Sequence, residues 1–387
     1  MINKIRKSIL LDYCRKNNLS ITPGIKLCRP NTKLTVVIPA YNEEKFIDET
    51  LLSLGNIPEL IEIVVVNNGS SDKTKDVVNK ISQHIKWPIY LLECLQKGPV
   101  YARKRGMDEV VIQYLVQNPE ATKLRYIALT DADTIVNKNW VKVIIDTFRK
   151  TNASAVGGIH GYPNWIDEEI EKVTGIKNFF EDLVNIAYYL SENGLALVQT
   201  NGANFAIEVV AYSEVGGSRQ PTDERGNPVK GSDRLFGYSL RDRGKLVSFI
   251  PTITITSPRR TLFSLSQGKD PAYFRDIKRW VDVRDNEISL IHKAARKLRL
   301  KDWMENKRLR EISFVEHNII QPAIKGQLSL LPLRKLMGSN HPLIDKIVRV
   351  INDTHSATST EADSYTSKIA GSYTQELLDT VRTKILS

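Results

Sequence analysis

Short apolar runs alternate with amphipathic stretches along the first 130 residues of the chain. Four runs rich in β-branched residues predict buried strands, at residues 33–39, 62–66, 89–94 and 126–130. Between the runs, apolar residues recur at helical spacing, as in a helix predicted to start near Asn42 and to bury Ile47, Leu51 and Leu54. Strands that alternate with helices predict an α/β fold with a mainly parallel sheet covered on both faces.

The pattern becomes looser after residue 133. It predicts a helix over residues 166–190, a strand over 204–209 and a helix over 234–243. From about residue 270 onward the chain is expected to be mostly helical. Residues 217–232 are polar and contain Gly and Pro, which predicts a surface loop. The segment 353–374 is rich in Ser and Thr and poor in apolar residues, which predicts partial flexibility.

The composition of the 387 residues, 41% hydrophobic and 26% charged, is typical of a soluble globular protein. The three cysteines, Cys14, Cys28 and Cys94, have no metal-ligand spacing and are expected to be reduced thiols. No apolar run approaches the roughly 18 residues that a membrane span needs. These observations argue against a secreted, membrane-spanning or disulfide-stabilised protein, and a cytoplasmic location is expected.

The formal net charge of +11 is concentrated in two segments. Residues 1–32 contain seven Lys or Arg against one acid, and residues 259–310 contain fifteen against seven. Basic segments attract anionic partners, so peripheral contact with an anionic inner membrane face is expected; a solvated helix surface is the alternative for 259–310. No zinc-finger spacing, RNA-binding aromatic signature or Walker loop accompanies the charge, so nucleic acid is not an expected partner.

Polar clusters follow the predicted strands directly. Asp131 and Asp133 come after the fourth strand, and hard carboxylate oxygens suit Mg²⁺ or Mn²⁺; a polar turn that caps a helix is the alternative. The turns 39–44 and 67–72 follow the first two strands and offer donors and acceptors that suit a base or a ribose. Turn chemistry alone also explains the Asn-Gly of the second turn. In parallel sheets, ligands bind just beyond the carboxyl ends of the strands.

Four ordered motifs make the sequence recognisable: VVIPAYNEEKFIDETLLSL, EIVVVNNGSSDKT, KGPVYARKRGMD and ALTDADTIVNKNW. Their order and spacing resemble family 2 glycosyltransferases of the GT-A fold. The resemblance continues more weakly through FAIEVVAYSEVGG and SDRLFGYSLRDRGK to TSPRR, near residue 260. It implies a GT-A, Rossmann-like nucleotide-sugar-binding domain over residues 33–260. A basic N-terminal extension, 1–32, would precede this domain, and a helical region, 261–387, would follow it.

The resemblance implies transfer of a sugar from a nucleotide-sugar, by default a UDP-sugar, to a hydroxyl of a glycan or glycolipid-type acceptor. It implies a Mn²⁺ or Mg²⁺ cofactor held by Asp131 and Asp133. The residues that it places at the nucleotide-sugar are Pro39, Ala40, Tyr41, Glu43, Asn67, Lys97, Arg103 and Asp131. Position 67 normally carries an Asp that contacts the base, and the Asn found here leaves the choice of base open.

An inverting transfer needs a base that deprotonates the acceptor hydroxyl. The family has a Glu-Asp pair where this chain has Ser232-Asp233, so Asp233 is the expected catalytic base, with a helix N-cap as its alternative role. Asp223 and Glu224 on the preceding loop are the alternative bases. The resemblance places Gly202, Ala203 and Asn204 on the acceptor side. Further candidates late in the chain are Arg259 and Arg260 for donor phosphates, and Trp280, His292 and His317 for the metal or acceptor.

Two rival interpretations stay open. A retaining transferase has the same fold, because fold does not set stereochemistry. A non-catalytic member would bind a nucleotide-sugar or a partner, and the departures at Asn67 and Ser232 keep this alternative open, whereas the presence of Asp133 and Asp233 argues against it. The Gln-x-x-Arg-Trp signature of processive synthases is absent. The sequence identifies neither the donor sugar nor the acceptor.

Overall fold

The computed structural model describes residues 2–222, 231–268, 283, 285–353 and 359–386. The chain divides into two compact units. The first unit comprises Met1–His160 and Thr200–Thr256, and the second comprises Gly161–Gln199 and Ser257–Ser387. Among the described residues, no helix is both long enough and apolar enough to cross a membrane.

A seven-stranded sheet forms the centre of the first unit. Its strands are β1 (Leu34–Ala40), β2 (Ile61–Asn67), β3 (Ile89–Glu93), β4 (Tyr126–Leu129), β6 (Ala155–Gly157), β8 (Phe205–Glu208) and β9 (Val247–Phe249). They lie in the order β3-β2-β1-β4-β8-β6-β9, and β8 alone among these strands is antiparallel to its neighbours. The mainly parallel sheet and the four predicted strands are therefore confirmed. Three short strands complete the set, β5 (Thr134–Ile135), β7 (His160–Gly161) and β10 (Thr254–Thr256), with β10 antiparallel to β5.

The central strands are apolar on both faces because helices cover both sides of the sheet. On one face, Val36 and Ile38 of β1 join a cluster that also contains Leu51. On the other face, Val37 joins a second cluster with Val110 and Leu10. Burying one Val, Ile or Leu side chain contributes about 1.5–3 kcal/mol, so the two clusters are the main stabilising feature of this unit. The helices of the first unit are α1 (Ile2–Lys16), α2 (Ile47–Gly55), α3 (Thr74–Ser82), α4 (Pro99–Gln117), α5 (Trp140–Thr151), α8 (Val209–Glu214) and α9 (Ser232–Asp242).

The basic N-terminal segment packs into the core of the first unit. Leu10 and Tyr13 of α1 are buried, and the Tyr13 hydroxyl donates a 2.6 Å hydrogen bond to Asp108 of α4. The guanidinium of Arg6 lies 2.9 Å from the carboxylate of Glu208. Part of the positive charge in residues 1–32 is therefore neutralised within the fold. The three cysteines are free thiols and are buried.

The described part of the second unit is mostly helical, and Gly161, the last residue of β7, also belongs to it. Its α-helices are α6 (Asn164–Thr174), α7 (Glu181–Glu192), α10 (Arg259–Ser266), α11 (Glu287–Lys297), α12 (Leu300–Val315), α13 (Gln321–Ile324), α14 (Leu330–Met337), α15 (Pro342–Asp353) and α16 (Ser359–Leu386). A π-helical turn, Glu316–Ile320, follows α12. The predicted helical C-terminal region is confirmed. Of the segment 353–374, residues 359–374 belong to α16, and residues 354–358 lie outside the described residues.

The single helix predicted over residues 166–190 is wrong, because the chain breaks into α6 and α7. Helix α6 ends at Gly175, whose φ of 77° lies in the left-handed region that favours glycine. The carboxylate of Asp167 then accepts hydrogen bonds from the backbone N–H groups of Phe180 and Glu181, at 2.9 and 2.8 Å. Phe179 and Phe180 turn into a core that includes Trp303. Burial of these rings accounts for a break that helical periodicity does not indicate.

Candidate active site

The predicted nucleotide-binding residues lie at the carboxyl edge of the sheet. The last residues of β1, β2 and β3 are Ala40, Asn67 and Glu93, and the strand register aligns Ala40 with Asn67 and Asn67 with Glu93. Adjacent strands are about 4.8 Å apart, so these three residues form one short row across the sheet. The turns predicted to bind the donor begin directly after this row.

The turns after β1 and β2 are joined to each other by hydrogen bonds. Asn42 has a φ of 55° and accepts a 2.8 Å hydrogen bond from the backbone N–H of Ser71. The backbone N–H of Glu43 donates to the Thr74 hydroxyl at 2.8 Å. Because this region forms a cross-linked turn, the helix predicted to start near Asn42 begins at Ile47 instead. Glu43 is buried at this junction, next to the exit of β1.

Tyr41 and Lys97, both predicted to bind the nucleotide-sugar, lie close to each other. The Lys97 ammonium lies 5.8 Å from the centroid of the Tyr41 ring. Asn68 holds the loop that carries Lys97, because its amide donates to the carbonyls of Cys94 and Gln96 at 3.0 and 2.7 Å. Sequence reasoning did not single out Asn68, although its place in the Asn-Asn-Gly turn was a signal.

Asn67 is almost fully buried, and both ends of its amide are engaged. Its Nδ2 donates to Oε2 of Glu93 at 2.7 Å, and its Oδ1 accepts from the backbone N–H of Ser70 at 3.2 Å. Glu93 was also missed by sequence reasoning. Its position near the end of the strand predicted over residues 89–94 was a signal, because the ends of parallel strands lie at one edge of the sheet.

One guanidinium connects two acids that are 102 residues apart in the sequence. Arg103, on α4, donates from Nη2 to Oδ1 of Asp131 at 2.7 Å. Its Nη1 donates to both carboxylate oxygens of Asp233, at 2.8 and 3.1 Å. Burial lowers the pKa of Arg103, but the charges of Asp233 and Asp131 raise it more, so the net shift is upward. Arg103 therefore stays protonated and brings the predicted metal-binding acid and the predicted base into one cluster.

The segment that contains Thr200 and Gly202 contacts both Asp233 and Arg103. The N–H of Gly202 donates to Oδ2 of Asp233 at 3.2 Å, and the Thr200 hydroxyl donates to the Asp233 carbonyl at 2.5 Å. A Cβ on Gly202 would lie 2.1 Å from Nη2 of Arg103, so only glycine leaves room for the guanidinium. The N-cap residue of α9 is Gly231, which has no side chain that could cap the helix. The Asp233 carboxylate is accordingly engaged by Arg103 and Gly202.

Asp133 lies on the same turn as Asp131 and is partly exposed, as is Asp131. Its Oδ1 accepts a 3.2 Å hydrogen bond from the hydroxyl of Thr256 on β10. Among the described residues, no three His, Cys, Asp or Glu side chains form a metal-binding group. Two carboxylates on one exposed turn nevertheless fit Mg²⁺ or Mn²⁺, which take few protein ligands and complete their shell with water and substrate phosphate.

The three residues predicted to line the acceptor side have different environments. All three are buried, but Gly202 contacts Asp233 through its backbone N–H, whereas the Asn204 side chain is bonded to other parts of the first unit. The Asn204 amide donates to the carbonyls of Ile159 and Thr252 and accepts from the Trp140 indole at 2.9 Å. Asn204 therefore supports the backbone beneath the cluster through intramolecular bonds.

The remaining candidates belong to the second unit or fall outside the described residues. Asp223, Glu224 and Trp280 are outside the described residues. His292 is 3.0 Å from a carboxylate oxygen of Glu169, and His317 contacts the Ser313 carbonyl at 2.7 Å. These histidines, and Arg259 and Arg260 at the start of α10, belong to the second unit.

A comparison with protein-family models gives a match that includes parts of both units. Residues 35–202 match the model of the family described as glycosyl transferase family 2. The match covers 168 of the 387 residues, less than half of the chain. It contains the turns after β1, β2 and β4, together with Arg103 and Gly202, and it ends before Asp233. Together with the mainly parallel sheet and the helical C-terminal region, the match confirms the predicted GT-A fold class.

Curated relatives share the same part of the chain. "Probable glycosyltransferase YdaM" of Bacillus subtilis (strain 168) is 34% identical over 133 residues, which cover 32% of this chain and 31% of that protein. "Poly(ribitol-phosphate) beta-N-acetylglucosaminyltransferase TarS" of Staphylococcus aureus (strain Mu50) is 26% identical over 127 residues, covering 32% of this chain and 22% of that protein. The chain thus spans less than a third of the length of these two relatives.

Two solved structures show distant likenesses over most of the chain. S. aureus TarS 1–349 in complex with UDP-GlcNAc has a TM-score of 0.39 and 13% identity, covering 89% of this chain and 92% of that one. The mannosyltransferase PcManGT from Pyrobaculum calidifontis, in complex with GDP-Man and Mn²⁺, has a TM-score of 0.41 and 15% identity, covering 97% and 99%.

Proposed function

We propose that this chain transfers a sugar from a nucleotide-sugar to a hydroxyl group of a glycan or glycolipid-type acceptor, with a divalent metal ion and with inversion. The observation that carries the proposal is the cluster in which Arg103 joins Asp131 to Asp233. The cluster lies within the first unit, which contains most of the residues that match the family 2 model, beside the turn that carries Asp133.

The donor is proposed to lie along the carboxyl edge of the sheet. Tyr41, Asn67 and Lys97 line the exits of the first three strands, and Pro39, Ala40 and Glu43 shape the turn beside them. Lys97 is exposed and supplies a positive charge for the donor diphosphate. A uridine nucleotide is the default base.

Asp133 and Asp131 are the residues that would hold Mn²⁺ or Mg²⁺. Such an ion, when bound, neutralises charge on the leaving nucleoside diphosphate. Arg103 keeps Asp131 oriented through a 2.7 Å hydrogen bond and reduces its repulsion with Asp233. Preorganised charges of this kind, aimed at the position where charge develops, typically contribute 10²–10³-fold to the rate per group.

Asp233 is proposed to accept the proton of the acceptor hydroxyl. Its carboxylate is partly exposed, so a substrate can reach it, and Gly202 and Arg103 fix its orientation. Both contacts donate hydrogen bonds to the ionised carboxylate, which is the form that a general base requires.

We also propose a cytoplasmic location with peripheral contact at an anionic membrane face. In the N-terminal segment, Arg6 and Lys7 pair with Glu208 and Glu120, so this segment offers less free charge than its sequence suggests. The corner between α11 and α12 carries exposed basic side chains, namely Arg296, Lys297, Arg299 and Lys301. Clusters of this kind favour anionic lipid headgroups.

A donor screen by thermal shift tests the transferase proposal. The protein is heated with UDP-, GDP-, dTDP- and CMP-sugars, with and without Mn²⁺. Because a bound ligand raises apparent stability by mass action, the right donor should raise the unfolding midpoint. The expected shift requires Mn²⁺ and is lost in Asp133→Asn.

Asp146→Asn, which removes a partly exposed acid from α5, is the matched control and should keep the shift. Hydrolysis of the same donor, followed as release of nucleoside diphosphate, should be lost in Asp133→Asn as well. If the folded protein shows no shift with any of the four nucleotides, the proposal is overturned.

A further inference from the structure

The amide of Asn67 has a defined orientation at the end of β2. Its Oδ1 faces a backbone donor, the N–H of Ser70, so its Nδ2 must point toward the 2.7 Å contact with Glu93. The backbones of the two residues are in register, and the N–H of Cys94 donates to the Asn67 carbonyl at 2.9 Å. The side-chain pair is therefore held by the sheet itself.

This contact explains why position 67 carries an amide. An Asp at this position would place two carboxylates at hydrogen-bond distance, and like charges that close strongly disfavour the state in which both are ionised. The negative charge at this corner of the sheet therefore belongs to Glu93. Asn67 positions that carboxylate by donating to one of its oxygens.

Glu93 is accessible to a ligand, whereas Asn67 is not. The Glu93 side chain is half-exposed, and its other described contact is a 3.5 Å ion pair between Oε1 and Lys75. A carboxylate has about four acceptor positions, so it has capacity for a further donor. Two residues later, Leu95 is 94% exposed and supplies an apolar surface in the same loop. A carboxylate beside an exposed apolar side chain suits a flat heterocycle that carries an N–H group.

We propose that Glu93 recognises the nucleobase of the donor by accepting a hydrogen bond from a ring N–H, and that Asn67 is its positioning residue. This inference rests on the proposed function, because it assumes that a nucleotide-sugar binds at this edge. Uracil, thymine and guanine carry a ring N–H next to a carbonyl. Cytosine and adenine present a ring acceptor at the corresponding position, which a carboxylate repels. The donor is therefore a uridine, thymidine or guanosine nucleotide.

The test compares binding of UDP with binding of UDP methylated at N3, which lacks the ring N–H, by titration calorimetry with Mn²⁺ present. A hydrogen bond to a charged group corresponds to about ten- to one-hundred-fold in affinity, so the wild-type protein should prefer UDP by that factor. In Glu93→Gln, the amide oxygen stays with Nδ2 of Asn67 and the NH₂ group faces the base. The preference for UDP should then fall close to one.

Exchanging the carboxylate and the amide between Asn67 and Glu93 should restore the preference for UDP, a result that a merely structural role of Asn67 would not produce. Asn67→Asp should weaken UDP binding, because it sets two carboxylates against each other. The double variant Asn67→Asp, Glu93→Gln restores one carboxylate and one amide, and it should recover most of the preference for UDP over the methylated form. Glu120→Gln, an exposed acid that pairs with Lys7, is the control and should bind like the wild type.

The outcomes separate the two proposals. If UDP binds and Glu93→Gln keeps the full preference, Glu93 does not recognise the base, although the proposed function stands. Tightest binding of CDP or ADP would also overturn the base assignment alone. If GDP binds best, the same comparison is made with GDP methylated at N1, with the same expectations. If UDP, dTDP, GDP, CDP and ADP all fail to bind the folded protein, both proposals are wrong.

Discussion

Replacing Arg103 with Met removes a cation that contacts both Asp131 and Asp233, while it keeps most of the apolar side-chain volume. In the native protein the Arg103 side chain is 10% exposed, and the side chains of Asp131 and Asp233 are 27% and 36% exposed. The variant would remove the Arg103 contacts from two partly buried carboxylates that lie near each other. The expected effect is a loss of stability in the first unit.

The magnitude follows from the number of bonds and their exposure. Hydrogen bonds to charged groups contribute about 1.5–3 kcal/mol each, and Arg103 makes one such contact to Asp131 and a two-oxygen contact to Asp233. Because both acids are about one-third exposed, solvent screening reduces this gain, and we expect a loss of about 2–4 kcal/mol. For a unit of this size, that corresponds to a drop in Tm of about 4–16 °C.

Thermal unfolding followed by circular dichroism measures this change, and a double-mutant cycle assigns it. Arg103→Met in an Asp233→Asn background should cost clearly less than in the wild type, because one of the stranded charges is already gone. Arg149→Met, at an exposed pair with Asp146, is the control and should change Tm little. Additive effects in the cycle, or a drop no larger than that of the control, would refute the reasoning.

Three further predictions concern the surroundings of the site and the two cores. Gly202→Ala places a methyl group 2.1 Å from the Arg103 guanidinium, so Tm should fall by an amount equivalent to about 1–3 kcal/mol, whereas Gly371→Ala, which meets no atom within 4 Å, should be neutral or slightly stabilising. Leu10→Ala should lower the free energy of unfolding by about 2–5 kcal/mol, because Leu10 is fully buried. It should also expose Cys14 to a thiol reagent at pH 8; in the native protein, burial raises the pKa of this thiol to about 11. Leu11→Ala, at an exposed position, should have neither effect. Burial raises the pKa of Asp182, but hydrogen bonding to Arg382 and the charge of Lys307 lower it more, so the net shift is downward. The ionised Asp182 should therefore stabilise the fold above about pH 4, and this stabilisation should be lost as the pH falls. Asp182→Asn should accordingly flatten the decline of Tm between about pH 5 and 2. An equally steep acid decline in Asp182→Asn would contradict this assignment.

The elements of the sheet were predictable because local patterns determine them. Runs such as residues 33–39 and 62–66 form strands that are buried on both faces. Such a strand needs consecutive apolar residues, which can be recognised directly in the sequence. The break between α6 and α7 was not predictable in the same way. Gly175 was a local signal, but the turn also depends on Asp167 reaching two backbone N–H groups 13 and 14 residues away.

In the candidate site, too, local features were predictable from the sequence and features that depend on packing were not. The sequence placed Tyr41, Asn67 and Asp131 at the ends of strands, and the structure brings their turns to one edge of the sheet. It did not indicate that Glu43 and Asn204 are buried, because burial depends on what packs over a residue. The proposed catalytic and binding roles of these residues remain predictions, which the experiments above test.

The sequence by itself determined the alternation of strands and helices, the polar turns that end the strands, and the match of residues 35–202 to the model of glycosyl transferase family 2. These features depend on residues that are neighbours along the chain. Only the tertiary structure decided that Arg103 lies between Asp131 and Asp233, and that Glu93 faces Asn67. Such contacts join residues 26 to 130 positions apart, and they form because strand register and helix packing set distances that no local pattern encodes.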